Sequence, residues 1–249
     1  MLTNGEIETA NLVEWLAVDQ CYLLKNLLIQ HDRLHYLDSI LTAIAGLKKK
    51  TVNTVNEMIG VGLYKQTTNR NDLEFQQVIS HHTSDLVRCW GTYMVGRNSE
   101  LSVESMLQKI QAFAADSHFG VREIAWLAVR PVVSEHLDRS LVVLSEWATH
   151  EDENIRRFAS EVTRPRGVWC THIERLKENP ELGLVILTPM KSDPSKYVQD
   201  SVGNWLNDAS KTKPDFVRNL CAEWEKEIPT KETAYIVKKA LRTIIKQNQ

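Results

Sequence analysis

A short segment recurs at a fixed spacing in the second half of the chain. Residues 121–131 read VREIAWLAVRP and residues 155–165 read IRRFASEVTRP, so two arginines, an alanine and a proline coincide at an offset of 34 residues. Related segments begin 34 residues before the first, at Val87, and 43 residues after the second, at Val198. Such a period indicates a repeated helical unit that buries its apolar face only against its neighbours.

The copies have the apolar periodicity of helices. Ile155, Phe158, Ala159 and Val162 follow i, i+3, i+4, i+7 spacing and form one stripe. Acidic or turn-forming residues precede three of the copies and suit helix N-termini. No convincing alternating pattern of strands is found. We therefore predict an all-α, HEAT- or armadillo-like α-α superhelix, a curved solenoid that forms a single domain over residues 1–249.

Single helices are also predicted between the copies and in the less regular first 80 residues. A long coiled coil is disfavoured, because Pro131, Pro165 and Pro214 interrupt any extended heptad. The predicted helices are Leu12–Gln30, Leu34–Leu47, Val52–Tyr64, Leu86–Val95, Leu101–Ala114, Ser140–Ala148, Asn154–Thr163, Cys170–Glu178, Tyr197–Ala209 and Asp215–Lys226.

Composition narrows the class of protein. Ten glycines and seven prolines are too few for the frequent turns of an all-β fold. The net charge of −2 gives no global argument for a polyanion partner, so any basic surface must be local. No apolar run approaches the ~18–20 residues of a membrane span, and the N-terminus lacks the pattern of a secretory signal. Four well-separated cysteines indicate free thiols. We expect a soluble, cytoplasmic monomer without a membrane partner.

The most unusual string in the chain is RRFASEVTRPRGVW, residues 156–169. On a helix, Arg157, Glu161 and Arg164 fall within about 60° of one another, opposite the apolar stripe. Pro165 is expected to end the helix and to leave Arg166 and Trp169 in the following turn. The structural alternative is an ordinary Arg–Glu pair on a solvated face with a core tryptophan below it.

That string and DPSKYVQDSVGNWLNDASK, residues 193–211, resemble the DNA alkylation repair family of HEAT-like glycosylases, the AlkC branch in particular. Members of that branch read close to R-R-x-x-S-E-x-T-R-P-R-x-x-W and D-P-S-x-Y-V-x-x-S-V-x-N-x-L-N-D. The match covers about residues 116–224 well and the N-terminal hundred residues only in general pattern. The resemblance implies that the protein binds double-stranded DNA in a concave basic groove. It also implies hydrolysis of the N-glycosidic bond of cationic alkylated purines such as 3-methyladenine.

The chemistry of that family accounts for the residue types. A cationic alkylpurine is already a good leaving group, and breaking its bond develops oxocarbenium character on the sugar. A carboxylate close to the sugar stabilises that charge or orients the attacking water. A tryptophan face attracts a cationic base, and arginines hold the phosphates that flank the lesion.

The resemblance is carried over residue by residue. Glu161 matches the acid between Ser and T-R-P-R, and Asp208 matches the aspartate that closes N-x-L-N-D. Both are the expected catalytic residues, although Asp208 could instead bond only to its own helical turn. Asn204 lies four residues before Asp208, which makes a shared role geometrically possible. The expected substrate- and DNA-binding residues are Trp126, Arg130, Arg157, Arg164, Arg166, Trp169 and Asn204.

One position departs from the family pattern. The AlkC branch typically reads E-F-A-I-R-P before its first Arg-Pro, and that glutamate belongs to the active site. Here the same stretch is WLAVRP, so Trp126 replaces the acid. Glu123 lies about one helical turn away and is a candidate substitute. The alternative is that the site has lost a catalytic carboxylate.

No motif requires a metal or an organic cofactor, and His81, His82 and His118 lack metal-ligand spacing. Basic clusters at 191/196 and 238–246 are either a wider phosphate-binding rim or a solvated helix face. Three functions follow as hypotheses: a monofunctional alkylpurine DNA glycosylase, a DNA-binding repeat protein without base excision, and a solenoid that scaffolds protein partners.

Overall fold

The computed structural model describes residues 1–247, and every regular element in that range is helical. The all-α prediction is therefore confirmed. Four short 3-10 turns cover Leu2–Asn4, Leu34–Tyr36, Pro180–Gly183 and Thr188–Met190. The α-helices, numbered in chain order, are α1 Leu12–Ala17, α2 Gln20–Gln30, α3 Leu37–Ala45, α4 Val52–Asn69, α5 Leu73–Ser80, α6 Asp85–Gly96, α7 Val103–Ala114, α8 Phe119–Glu135, α9 Leu137–Trp147, α10 Glu153–Val162, α11 Glu174–Glu178, α12 Leu184–Leu187, α13 Lys196–Ser210, α14 Pro214–Glu227, α15 Lys231–Ala240 and α16 Arg242–Gln247.

The chain divides into two compact units, Met1–Val129 and Arg130–Gln249. The expectation of one continuous domain stays a prediction, and each unit is described by itself. The described residues include no helix that is both long and apolar enough to cross a membrane. The four cysteines are free.

Acidic residues accept backbone hydrogen bonds just before the repeat helices, and Asp152 is the N-cap residue of α10. A carboxylate oxygen of Asp116 accepts from the amide of His118 at 2.8 Å before α8, and Asp152 accepts from Asn154 at 2.8 Å before α10. Asp193 does the same for Ser195 at 2.9 Å before α13. The bond from Asn154 satisfies an amide in the first turn of α10, whereas the bonds to Asp116 and Asp193 close the turns that lead into α8 and α13.

The repeated arginine has one structural role in all three copies. Arg88, Arg122 and Arg156 each donate from Nη1 to the carbonyl oxygens six and five residues earlier, at 2.7 to 2.9 Å. Arg88 also forms a two-bond ion pair with Asp116, and Arg156 forms the same pair with Asp193. In each of these pairs the aspartate precedes a later repeat helix, so the arginine connects successive repeats. The fourth copy has Gln199 instead, which donates to the carbonyl six residues earlier at 2.8 Å.

Several predicted helix boundaries are wrong. The helix predicted over 12–30 is two helices, because Val18 is extended and the carboxylate of Asp19 caps α2. Pro131, which argued against a long coiled coil, lies inside α8. The helix predicted from Cys170 begins only at Glu174, and α5 was not predicted. The start of α5 is marked by Asp72, whose carboxylate accepts from the amide of Phe75 at 3.3 Å.

The second unit is built around α13, which packs against α10, α14 and α15. Trp205 and Leu206 of α13 are fully buried. Gly203 allows α15 to approach closely, because a Cβ atom there would lie 2.6 Å from the Cβ of Lys239 and 3.2 Å from the carbonyl oxygen of Ile236. Because α15 and α14 pack against other faces of α13, one face of α13 is left to meet α10.

Candidate active site

The two strings that carry the resemblance are hydrogen-bonded to each other. Ser201 of α13 donates to Glu161 at 2.7 Å, and the indole of Trp205 donates to the hydroxyl of Thr163 at 3.3 Å. Arg164 donates to Asp208 at 2.7 Å through Nη2. These bonds join residues that are 40, 42 and 44 positions apart along the chain. The C-terminal end of α10 and the face of α13 that carries Ser201, Trp205 and Asp208 therefore form one site.

Glu161 lies in the last turn of α10 and is only 5% exposed. Its Oε1 accepts from Arg164 Nη1 at 2.7 Å and its Oε2 accepts from Ser201 Oγ at 2.7 Å. Arg157 Nη2 lies 3.6 Å from Oε2. The prediction that Arg157, Glu161 and Arg164 converge is confirmed, but this face of α10 is covered by α13 and is not the solvated surface of the structural alternative.

The surroundings of Glu161 keep its carboxylate ionised. Burial alone would raise the pKa of Glu161, since it penalises the charged form. The charges of Arg157 and Arg164 and the hydrogen bonds from Arg164 and Ser201 outweigh burial and hold this pKa below its ordinary value. A carboxylate of this kind can stabilise a nearby positive charge, and it is unsuited to donating a proton at neutral pH.

Asp208 lies near the end of α13 and is 3% exposed. Its Oδ2 accepts from Arg164 Nε at 2.9 Å and Nη2 at 2.7 Å, and its Oδ1 accepts from Lys211 Nζ at 2.9 Å. The bond to Lys211, three residues later, agrees with the alternative in which Asp208 bonds to its own turn. The bonds to Arg164 add a long-range partner that this alternative lacks.

Arg130 is buried and its donors are used within the protein. It donates at 2.7 and 2.6 Å to the carbonyl oxygens of Val162 and Arg164, and at 3.2 Å to that of Thr171. These bonds satisfy carbonyl groups at the end of α10 and hold the turn that follows. The structure thus places Arg130 as a support for the site, not as a guanidinium offered to a phosphate.

The turn after α10 presents an aromatic side chain to solvent. Trp169 is 88% exposed and its φ is 65°, a left-handed conformation that is unusual for a bulky residue. Arg166 is in the same turn, and within the described residues its buried Nε has no hydrogen-bond partner. The prediction that both residues follow the helix in a turn is confirmed, and Trp169 is not a core residue.

Arg157 and Asn204 have partners on neighbouring helices. The guanidinium of Arg157 lies over the ring of Tyr197, 4.6 Å from its centroid. The side-chain oxygen of Asn204 accepts from Arg242 at 2.8 Å. The structure shows no partner shared by Asn204 and Asp208 among the described residues.

Trp126, in the first unit, replaces the acid that the resemblance leads one to expect. It is buried, and its indole N–H donates to Glu123 Oε2 at 2.9 Å. The indole therefore uses one carboxylate oxygen of Glu123, the candidate substitute for the missing acid.

The sequence analysis missed Ser201 and Lys211. Ser201 is part of the S-V-x-N string, but periodicity does not show that its hydroxyl reaches Glu161 on another helix. Lys211 is three residues after Asp208, a spacing typical of helical ion pairs, and this signal could have identified it. Among the described residues, no group of three or more His, Cys, Asp or Glu side chains could hold a metal ion.

Two comparisons by sequence relate the chain to known proteins. Residues 121–244 match the family described as DNA alkylation repair enzyme. The uncharacterized protein YhaZ of Bacillus subtilis (strain 168) is 36% identical over 140 residues, which are 56% of this chain and 38% of YhaZ.

Two solved structures share the fold. The Pseudomonas fluorescens alkylpurine DNA glycosylase AlkC, bound to DNA containing an abasic site analog, matches with a TM-score of 0.70 and 26% identity. That match covers 91% of this chain and 61% of the AlkC chain. AlkD2 from Streptococcus mutans matches with a TM-score of 0.65 and 22% identity, over 84% of this chain and 97% of AlkD2. The chain thus spans less than two thirds of both YhaZ and AlkC.

Proposed function

The chain belongs to the DNA alkylation repair family, matched over residues 121–244, and from this we propose that it is an alkylpurine DNA N-glycosylase. Its substrate would be double-stranded DNA that carries cationic alkylated purines such as 3-methyladenine. Glu161 and Asp208 would be the catalytic carboxylates. The resemblance of the sequence to the AlkC branch agrees with the AlkC structural match.

The observation that carries the proposal is the state of Glu161. Its carboxylate is ionised, buried, and bonded through both oxygens to groups on different elements. A cationic base needs no proton from the enzyme in order to leave, so an ionised acid suits this substrate. Held in a site of low dielectric, the carboxylate would stabilise the charge that develops on the sugar.

The neighbouring groups support binding of an anionic polymer. Arg157, Arg164 and Lys211 carry three positive charges against the two carboxylates of Glu161 and Asp208. Lys211 is the most exposed of these three cations, at 40%, so it is the one that a phosphate group would meet. The exposed indole of Trp169 offers an aromatic face for the cationic base or the deoxyribose.

The test is base release from alkylated duplex DNA by the wild-type protein and by Glu161→Gln. We expect the wild type to release 3-methyladenine or 7-methylguanine. Glu161→Gln should lose on the order of 10²–10³-fold in rate, because it keeps the shape of the side chain and removes its charge. DNA affinity, measured by fluorescence anisotropy, should change little.

Glu153→Gln is the matched control, because Glu153 lies on the same helix and is exposed. It should behave as the wild type does. Base release at the wild-type rate by Glu161→Gln would refute the assignment of the catalytic acid. A wild-type protein that binds DNA and releases no base would refute the glycosylase proposal.

The second candidate function is DNA binding without excision. Trp126 in place of the expected acid, with its indole bonded to Glu123, favours it. Both DNA-binding functions require affinity that falls with salt, because cationic side chains that neutralise phosphates release counterions. Affinity that does not change between about 50 and 300 mM salt would contradict both functions and favour a protein-scaffolding solenoid. A cytoplasmic location and a monomeric state stay predictions.

A further inference from the structure

Two buried serines and Glu161 form a chain of hydrogen bonds. Ser201 on α13 is 2% exposed and Ser160 on α10 is fully buried. The Oγ of Ser201 lies 2.7 Å from Glu161 Oε2 on one side and 2.7 Å from Ser160 Oγ on the other. Neither serine has a role in the function proposed above.

The direction of these hydrogen bonds follows from the charge of Glu161. An ionised carboxylate can only accept, so the single proton of Ser201 points at Oε2. The lone pairs of Ser201 Oγ are then free to accept from Ser160 Oγ. The hydroxyl of Ser160 is also 3.0 Å from the carbonyl oxygen of Arg157, which is its alternative acceptor.

The two oxygens of Glu161 are held from different elements. Oε1 is bonded to Arg164, which follows α10, whereas Oε2 is bonded to Ser201 of α13. Arg157 Nη2 is 3.6 Å from Oε2, which is beyond hydrogen-bond distance. Ser201 therefore holds Oε2 in place, while Arg164 holds Oε1.

We propose that Ser201 is a positioning residue for Glu161: its hydroxyl, backed by that of Ser160, fixes the orientation of the carboxylate that faces the substrate sugar. The catalytic consequence rests on the proposed glycosylase function. The structural consequence does not, because the hydrogen bond joins two residues of the chain itself.

The charged groups around Glu161 come from several elements. Arg157 and Arg164 lie on and just after α10, Asp208 lies on α13, and Arg130 lies on α8. The thiol of Cys170 in the following turn is also electrostatically coupled to Glu161, and burial raises its pKa. Loss of the Ser201 hydroxyl leaves all of these groups in place, so its effect on Glu161 can be measured separately.

The first measurement is a titration of the Glu161 side-chain carboxyl carbon by NMR, in the wild type and in Ser201→Ala. The pKa of Glu161 is expected to rise by roughly one unit in the variant, because a hydrogen bond to the charged form is lost. Ser210→Ala is the matched control: Ser210 is on the same helix, is also 2% exposed, and donates to the carbonyl oxygen of Asn207 instead. It should leave the pKa of Glu161 unchanged.

The second measurement is the rate of base release. In Ser201→Ala, kcat should fall roughly tenfold while KM stays within about twofold, and the acid limb of the pH profile should move to higher pH. Ser201→Thr keeps the hydroxyl and should restore both. Where Ser201→Ala does not fold, Ser160→Ala replaces it and should give a smaller shift in the same direction.

The outcomes separate the two proposals. A wild-type protein without base release would refute the glycosylase, while the titration would still decide the role of Ser201. A Glu161 pKa that is the same in Ser201→Ala, Ser210→Ala and the wild type would overturn the positioning role. A drop in kcat as large in Ser210→Ala as in Ser201→Ala would also overturn it, because packing alone would then explain the effect.

Discussion

Glu161 and Asp208 are bound by the same guanidinium. Arg164 donates from Nη1 to Glu161 at 2.7 Å, and from Nε and Nη2 to Asp208 at 2.9 and 2.7 Å. One side chain thereby joins the end of α10 to the end of α13 and fixes two buried carboxylates relative to each other. The geometry of the proposed site and the stability of this part of the fold depend on the same residue.

Replacing Arg164 should therefore destabilise the folded protein. We expect Arg164→Met to lower the free energy of unfolding by about 3–5 kcal/mol, because it leaves two buried carboxylates without their shared partner. Urea unfolding followed by circular dichroism would measure it. Lys211→Met is the control, since Lys211 also contacts Asp208 but is 40% exposed, and it should cost less than about 1 kcal/mol. Equal effects of the two variants would show that burial of the pair is not what matters.

The pH dependence of stability should reveal the ionised state of Glu161. Its pKa in the folded protein is below the ordinary value of 4.5, so at intermediate pH the unfolded chain binds more protons and stability rises with pH. The contribution of Glu161 is complete above 4.5 and is lost as the pH falls through the folded-state pKa. We expect the stability difference between the wild type and Glu161→Gln to shrink on acidification. A difference that grows would mean that the folded-state pKa is raised.

Trp169 offers a test that separates function from stability. Glycine adopts its left-handed conformation without strain, and the indole is exposed, so Trp169→Gly should leave the free energy of unfolding within about 1 kcal/mol of the wild type. Binding to alkylated DNA and base release should nevertheless fall, because the aromatic face is lost. Val168→Ala, at the exposed neighbouring position, should change neither. A stability loss of about 3 kcal/mol in Trp169→Gly would show instead that the indole is packed.

The arginine of the repeat should contribute to stability only where it is buried. Arg156 forms its two-bond pair with Asp193, and Arg175 forms a similar pair with Asp138; both pairs span 37 residues, but only the first is buried. We expect Arg156→Met to cost about 3–5 kcal/mol in urea unfolding, and Arg175→Met to leave the unfolding transition nearly unchanged. Similar costs for both would contradict a role for burial in the repeat contact.

Local patterns in the sequence were enough to predict the helices, several helix starts and the family. The repeat spacing and the i, i+3, i+4 stripes predicted helices, because these signals depend only on neighbours within one or two turns. The acidic leads predicted helix starts for the same reason: Asp152 caps α10, and Asp116 and Asp193 lie in the turns before α8 and α13. The T-R-P-R and N-x-L-N-D strings selected the family; Glu161 lies just before the first string, and Asp208 closes the second.

Tertiary structure decided how those residues are used. Periodicity placed Glu161 on a polar face, yet the packing of α13 on α10 buries that face and brings Ser201 to one of its oxygens. The sequence predicted both Arg130 and Trp169 to be binding residues and did not distinguish between them. One is buried against backbone carbonyls and the other is exposed in a left-handed turn. The bonds from Ser201 to Glu161 and from Arg164 to Asp208 join residues 40 and 44 positions apart, and only helix packing sets which donors meet which acceptors.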